Sequence, residues 1–143
     1  MSHPVPDHAP TAPTPPSPIA PAAPGTGARL MGLLTDFLAS LDTWPGALFQ
    51  LSEADLGDVV SNMLTVVGRA ENVAVLATAE ALARGTVASS MATGAPGWVA
   101  QHARGVDPVI TRRVGAVGVE CADPRNQVVS DCLAAGSASV AVA

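Results

Sequence analysis

The sequence predicts an all-α protein, in which one long helix with a heptad pattern packs with several shorter helices and follows a disordered, proline-rich tail. Three observations predict this fold. Apolar residues recur at spacings of three and four along most of the chain, and no segment shows the two-residue alternation of a strand. Nine of the thirteen prolines fall within the first 24 residues. We therefore expect a tail over residues 1–26 and one helical domain over residues 27–143.

The tail, residues 1–26, has almost no large apolar side chains. Burial of so little apolar surface does not offset the entropy lost on ordering, so we expect this segment to be disordered. Met31 lies just beyond it. The sequence leaves open whether translation begins at Met1 or at Met31, and a start at Met31 would remove the tail.

Leucine and phenylalanine residues at helical spacing predict a first helix over residues 28–41. Pro45 and Gly46 follow it and interrupt the pattern, because proline and glycine are poor helix residues. Ser52 then begins a capping box with Asp55, in which the hydroxyl and the carboxylate each accept a hydrogen bond from a free backbone amide. A long helix is expected to follow this box.

The long helix is predicted from Glu53 to Arg84 and ends at Gly85. Steps of four and three residues alternate along it, which is the spacing of a surface that pairs with another helix. Large side chains form the first half of this surface and alanines the second, where a neighbouring helix can approach closely. Gly68 and Asn72 weaken the middle of the helix. We name the eight residues of this surface the heptad seam: Leu56, Val60, Met63, Val67, Ala70, Ala74, Ala77 and Ala81.

Shorter helices are expected after a loop over residues 86–94. One covers residues 97–102, and Asp107 with Pro108 begins another, since an acidic N-cap followed by proline is typical of a helix start. Arg112 and Arg113 are expected to point outward from that second helix. Its apolar face is predicted to consist of Ile110, Val114, Val117 and Cys121.

A last complete helix is expected between Pro124 and Gly136. Ser137 then has the character of an N-cap, so we expect a further helix to begin there and the chain to stop as it begins. This makes the domain a truncated one. The residues predicted to be buried in the last complete helix are Val128, Val129, Cys132 and Leu133.

This order of features resembles a known family. A serine-capped long helix with an alanine-rich second half precedes the stretch Gly-Trp-Val-Ala at residues 97–100, a helix with paired arginines, and Cys-Leu-Ala-Ala-Gly at residues 132–136. The arrangement resembles the actinobacterial domain of unknown function two-two-two, whose members include the thirteen-E-twelve repeat proteins and which commonly precedes an HNH endonuclease domain. The resemblance covers residues 51–143. It implies that the chain is the N-terminal portion of a longer helical domain, without the nuclease.

The residues that carry nuclease chemistry are not found in the pattern that the resemblance calls for. An HNH site holds a divalent ion with histidines in a compact motif, whereas the histidines here are His3, His8 and His102, and none matches that motif. Cys121 and Cys132 do not form a C-x-x-C pair and are expected to be reduced thiols in the core. We therefore expect no enzyme activity, no metal and no cofactor.

The charges permit at most weak binding of nucleic acid. The chain has seven arginines, no lysine and twelve acidic residues, for a net charge of −5. Acids near the C-terminal arginines balance them, so a solvated surface is the more ordinary interpretation of these arginines. No stretch is long and apolar enough for a membrane span or shaped like a signal peptide, so we expect a cytoplasmic protein. The candidate contacts to nucleic acid are Arg104, Arg112, Arg113 and Arg125.

Two functions from different classes therefore remain open at this point. The first is a non-catalytic accessory domain in an incomplete copy, which at most assists the binding of DNA or of a partner. The second is a helical interaction module in its own right, in which the heptad seam pairs with another copy or with a different protein. A product of a severed gene without a function of its own fits the same residues.

Overall fold

The computed structural model describes residues 25–140, which form five α-helices and contain no strand. The predicted all-α fold is confirmed. Most of the predicted disordered tail, residues 1–24, lies outside the described residues. The first helix begins two residues earlier than predicted, at the last position assigned to the tail. The helices are α1 Thr26–Leu41, α2 Glu53–Ala83, α3 Ala95–His102, α4 Pro108–Ala122 and α5 Gln127–Ala135.

Within the described residues, the chain divides into two compact units, residues 25–49 and residues 50–140. In the first unit, α1 is followed by a short 3-10 turn at Trp44–Gly46, where the predicted break falls. No residue of α1 is buried. The apolar positions that predicted this helix are exposed along it: Leu30, Leu33, Leu34, Phe37 and Leu38.

The predicted capping box begins α2 in the second unit. The amide of Asp55 donates to the Ser52 hydroxyl at 3.2 Å, and the amide of Ser52 donates to the Asp55 carboxylate at 3.2 Å. The Ser52 hydroxyl also donates to the Asp55 carboxylate at 2.6 Å, and this bond, together with the one from the Ser52 amide, lowers the pKa of Asp55 below its ordinary value of 3.8. The helix runs for 31 residues, and Gly85 follows it with a φ of 73°. That left-handed conformation favours glycine and ends the helix where the sequence predicted.

Two glycines of α4 allow the helices of the second unit to pack closely. A Cβ at Gly115 would lie 2.5 Å from the Cα of Pro96 at the start of α3, and a Cβ at Gly118 would lie 2.8 Å from the Thr78 methyl on α2. These distances are shorter than van der Waals contact, so only glycine fits at either position. The core that these contacts bring together contains Val75, Val99, Val114, Cys121, Leu133 and Val140.

The predicted apolar face of α4 is confirmed, because Val114 and Cys121 are buried and its other two members pack against the core. The prediction for α5 is wrong at one position. Leu133 is 2% exposed, whereas Val128 is 73% exposed. Val129 and Leu133 are four residues apart and share the inward face of this nine-residue helix, so Val128 lies about 100° away from it.

Residues 137–140 do not begin the predicted further helix; they form bends and a turn. The amide of Ser137 donates to the carbonyl of Cys132 at 3.0 Å, so this serine completes the end of α5 around Gly136. Val140 is 3% exposed and belongs to the core. The segment is held by Asn72 of α2, whose amide group donates to the carbonyl of Ala138 at 2.9 Å.

Candidate helix-pairing surface

The heptad seam lies largely on the outside of the second unit. Val60 and Val67 are more than half exposed, Leu56 is exposed and Met63 is half-buried. Of its alanines only Ala81 is buried; the exposed ones are Ala70, Ala74 and Ala77. The seam is therefore open to a partner along most of its length.

The side of α2 that packs within the chain differs from the seam except at Ala81, which belongs to both. It is formed near the C-terminal end of the helix, and no residue of its first half is buried. Asn72 is 5% exposed and Thr78 is 2% exposed, so two of its members are polar. Thr78 is satisfied by donating to the carbonyl of Ala74 at 2.8 Å, one turn earlier. The buried residues of α2 are Asn72, Val75, Thr78 and Ala81.

An apolar cavity of about 340 Å³ adjoins the second half of the seam. Three seam residues, Val67, Ala70 and Ala74, form its wall on α2. The opposite wall comes from α3, α4 and the loop that joins them, at Val99, Ala103, Val106, Ile110, Thr111 and Val114. The cavity is lined almost entirely by apolar groups, and its size is that of a pocket that receives large side chains.

Leu64 adds a large exposed apolar side chain beside the first half of the seam, although the heptad pattern does not include it. It is 67% exposed and lies four residues after Val60 on the same side of α2. The four-residue spacing from Val60 was the available signal. Leu64 was missed because it falls outside the strict alternation of four and three.

Arg113 does not point outward as predicted. Its guanidinium donates to the Glu71 carboxylate of α2 at 2.6 Å, and the Glu71 side chain is only 16% exposed. The pair joins α4 to α2 beside the apolar cavity, of which Glu71 forms part of the wall. The Arg113 guanidinium is therefore paired within the chain, which makes Arg113 a poor candidate for a contact to nucleic acid.

The other three candidate arginines differ in their surroundings. Arg125 is paired with Asp123 at 2.5 Å. Hydrogen bonds from the side chain and the backbone of Arg125 lower the pKa of Asp123, and the carboxylate in turn raises the pKa of Arg125. Arg104 and Arg112 are exposed and have no acidic partner among residues 25–140. Of the four candidates, these two are therefore the ones without an ion pair in the described residues.

The residues considered for catalysis or metal binding lie apart from the seam. His102 is exposed, its Nδ1 lies 2.9 Å from the carbonyl of Trp98, and its ring is tilted by 39° against the Trp98 ring with centroids 4.5 Å apart. Cys121 is buried and Cys132 is half-buried, and both are free thiols. In the part of the chain that the structure describes, no three His, Cys, Asp or Glu residues come together in a group able to hold a metal ion.

Comparisons with known proteins add no relative to this description. The chain shows no significant match to a protein-family model, to a curated protein or to a solved structure. Over residues 25–140, none of the helices combines the length and the apolar character needed to cross a membrane.

Proposed function

We propose that this protein is a non-catalytic helical interaction domain that binds another α-helix along the heptad seam. One observation carries the proposal: Leu56, Val60 and Val67 are exposed, and Val67 with the seam alanines Ala70 and Ala74 forms one wall of an apolar cavity. A helix with apolar residues at matching spacing buries such a surface by inserting side chains between those of the seam. Exposed apolar side chains that adjoin one another on a protein surface are typical of an interaction site.

The resemblance to the domain that precedes HNH endonucleases supports an accessory role of this kind. In this proposal the chain corresponds to the N-terminal portion of that domain, acts in the cytoplasm, and cleaves no nucleic acid itself. None of its three histidines matches the motif of the nuclease. The binding of a partner helix is then what the chain contributes, and the chemistry belongs to another polypeptide.

Photo-crosslinking in the cell that produces the chain tests the proposal. A benzophenone amino acid replaces Val60, which is on the seam, or Val73, which is off the seam on the same helix. The two valines are 59% and 60% exposed, so they differ in position and hardly in accessibility. We expect irradiation to give one discrete adduct from position 60 and none from position 73.

The pattern of adducts decides the outcome. A discrete adduct from position 60 alone means that the seam is occupied by a partner, and the mass of the adduct identifies the class of that partner. No adduct from position 60, or the same set of adducts from both positions, contradicts the proposal.

Weak binding of nucleic acid is a second candidate function. It is favoured by one observation, which is that Arg104 and Arg112 are exposed without an acidic partner in the described residues. If both arginines contact phosphates, replacing them with glutamine lowers the slope of log K against log salt by about two for duplex DNA. Arg125→Gln is the control, because Arg125 is already paired with Asp123. An unchanged slope in the double variant excludes these arginines as contacts.

A further inference from the structure

We propose that the helix bound by the heptad seam is α2 of a second copy of this chain, running antiparallel. This inference rests on the proposed function and names its partner. It predicts a dimer with twofold symmetry, in which both copies use the same surface. Three features of α2 support it: the order of its side chains, the distribution of its cover and the charges at its ends.

The order of side chains along the seam suits an antiparallel pair. Its steps of four and three read the same in both directions, so a twofold axis between residues 68 and 69 superimposes one seam on the other. Three large residues then face exposed alanines of the second copy, and large side chains interdigitate best with small ones. The pairs are Val60 with Ala77, Met63 with Ala74, and Val67 with Ala70. Leu56 falls opposite Ala81, which is buried in its own chain and takes no part in the contact.

The two halves of α2 also differ in how far other helices of the same chain cover them. Helices α3, α4 and α5 contact α2, and the residues of α2 that are buried all lie in its second half. Antiparallel pairing lays the exposed first half of one α2 beside the second half of the other, where the apolar cavity lies. Met63 and Val67 then meet Ala74 and Ala70, two residues that line that cavity. Each copy covers what the other exposes.

The ends of the helix carry opposite charges on the same spacing. Glu53 is three residues before Leu56, and Arg84 is three residues after Ala81. Both are exposed; Arg84 uses its Nε to bind Glu80 at 2.6 Å within the helix. An antiparallel pair brings Glu53 near Arg84 at both ends. A parallel pair would instead oppose Glu53 to Glu53, Arg84 to Arg84 and alanine to alanine.

Sedimentation equilibrium of the full chain tests whether the second copy binds. We expect a reversible dimer, and we expect Val60→Asp to weaken it about a hundredfold, because it places an unpaired charge within the interface. Val73→Asp is the matched control and is expected to leave the dissociation constant unchanged. A chain that stays monomeric, or that dimerises equally well as either variant, overturns the inference.

Disulfide trapping in a glutathione redox buffer tests the direction. The full chain is prepared as Val60→Cys and as Ala77→Cys, and the two variants are mixed. In the antiparallel dimer, residue 60 faces residue 77, while the two copies of residue 60 are about 25 Å apart and cannot be bridged. We expect covalent dimers that contain one chain of each variant. The wild-type chain is the control, because any covalent dimer that it forms must come from Cys121 or Cys132.

The outcomes separate this inference from the proposed function. Covalent dimers of Val60→Cys alone mean a parallel pair and overturn the stated register. A monomeric chain that still gives a photo-adduct from position 60 with a different protein overturns the second copy but leaves helix binding by the seam intact. A monomeric chain that gives no such adduct contradicts both.

Discussion

The two halves of α2 are continuous in backbone and opposite in environment. Residues 68–83 contain every buried residue of the helix, and these lie against α4, α5 and the C-terminal segment. Residues 53–67 contain none, although they carry the larger apolar side chains of the heptad seam. A helix usually buries its large apolar residues and exposes its small or polar ones. Here three of the four larger seam residues are exposed, and an asparagine and a threonine are buried.

This inversion separates two requirements on one helix. The second half stabilises the fold, and it does so with residues that let other helices come close and with Asn72, which ties down residues 137–140. The first half contributes little to that core, so its apolar residues are free to serve binding. Variants that affect only stability in one half and only association in the other would establish the division.

The largest effect is expected from Gly115→Ala. The new methyl group would lie 2.5 Å from Pro96 Cα and 2.6 Å from Pro96 N, which are backbone atoms that cannot rotate away. Helices α3 and α4 would have to separate, at a cost of about 3 kcal/mol in the free energy of unfolding. Urea unfolding followed by circular dichroism measures this loss.

Gly57→Ala is the matched control for that variant. Gly57 lies in the first half of α2, and a Cβ there meets no atom within 4 Å. Alanine is the better helix residue, so the stability is expected to stay the same or to rise by up to about 1 kcal/mol. Equal losses for the two variants would mean that the close packing at Gly115 does not hold this fold together.

A second comparison uses valine in both halves. Val75 is fully buried, so Val75→Ala is expected to lower the free energy of unfolding by about 2 kcal/mol through lost burial and the cavity left behind. Val60→Ala is expected to change the stability of the monomer by less than about 0.5 kcal/mol. It should instead weaken self-association about tenfold. Urea unfolding at low concentration and sedimentation equilibrium measure the two quantities separately.

A large loss of stability in Val60→Ala would contradict the division of α2 into a folding half and a binding half. If Val60→Ala destabilises the monomer as much as Val75→Ala does, the first half of α2 is part of the folding core. The exposed valines would then have a structural role, and the seam would lose its separate function.

The local parts of this fold could be predicted from the sequence, because they depend on neighbours in the chain. The capping box at Ser52, the helix start at Asp107 and the glycine stops at Gly85 and Gly136 each involve bonds within a few residues. The heptad spacing was equally visible. The heptad spacing could not show which face of α2 is buried, because most of the residues that follow it are exposed.

The errors came from contacts between distant residues. Arg113 looks like Arg112 in the sequence, but only Arg113 lies within reach of Glu71, 42 residues earlier. Serine is a residue type favoured at an N-cap, yet the residues after Ser137 fold back against the core. They do so because the Asn72 amide group donates a hydrogen bond to the carbonyl of Ala138 and because Val140 is buried in the core. Such pairings follow from the packing of α2 with α4 and α5, which no local pattern encodes.

The smallest effect is expected at the start of α2, from Ser52→Ala. Losing the N-cap should cost about 1 kcal/mol of local helix stability. Because no residue of the first half is buried, we expect this loss as fraying, with about fivefold faster amide exchange near residues 53–56 and unchanged exchange at Leu133.

The same bonds make the start of α2 sensitive to acid. They lower the pKa of Asp55 from its ordinary value of 3.8. The ionised carboxylate therefore stabilises the folded state at pH values above 3.8, and this contribution is lost as the pH falls through the lowered pKa. In Ser52→Ala, an NMR titration of the Asp55 carboxyl should give a pKa closer to 3.8, since its main cause of lowering is gone. If the substitution slows or speeds exchange at Leu133 as strongly as at residue 54, the two halves of α2 unfold as one unit. The exposed first half would then be coupled to the core after all, and a partner bound to the seam would stabilise the whole domain instead of the first half alone.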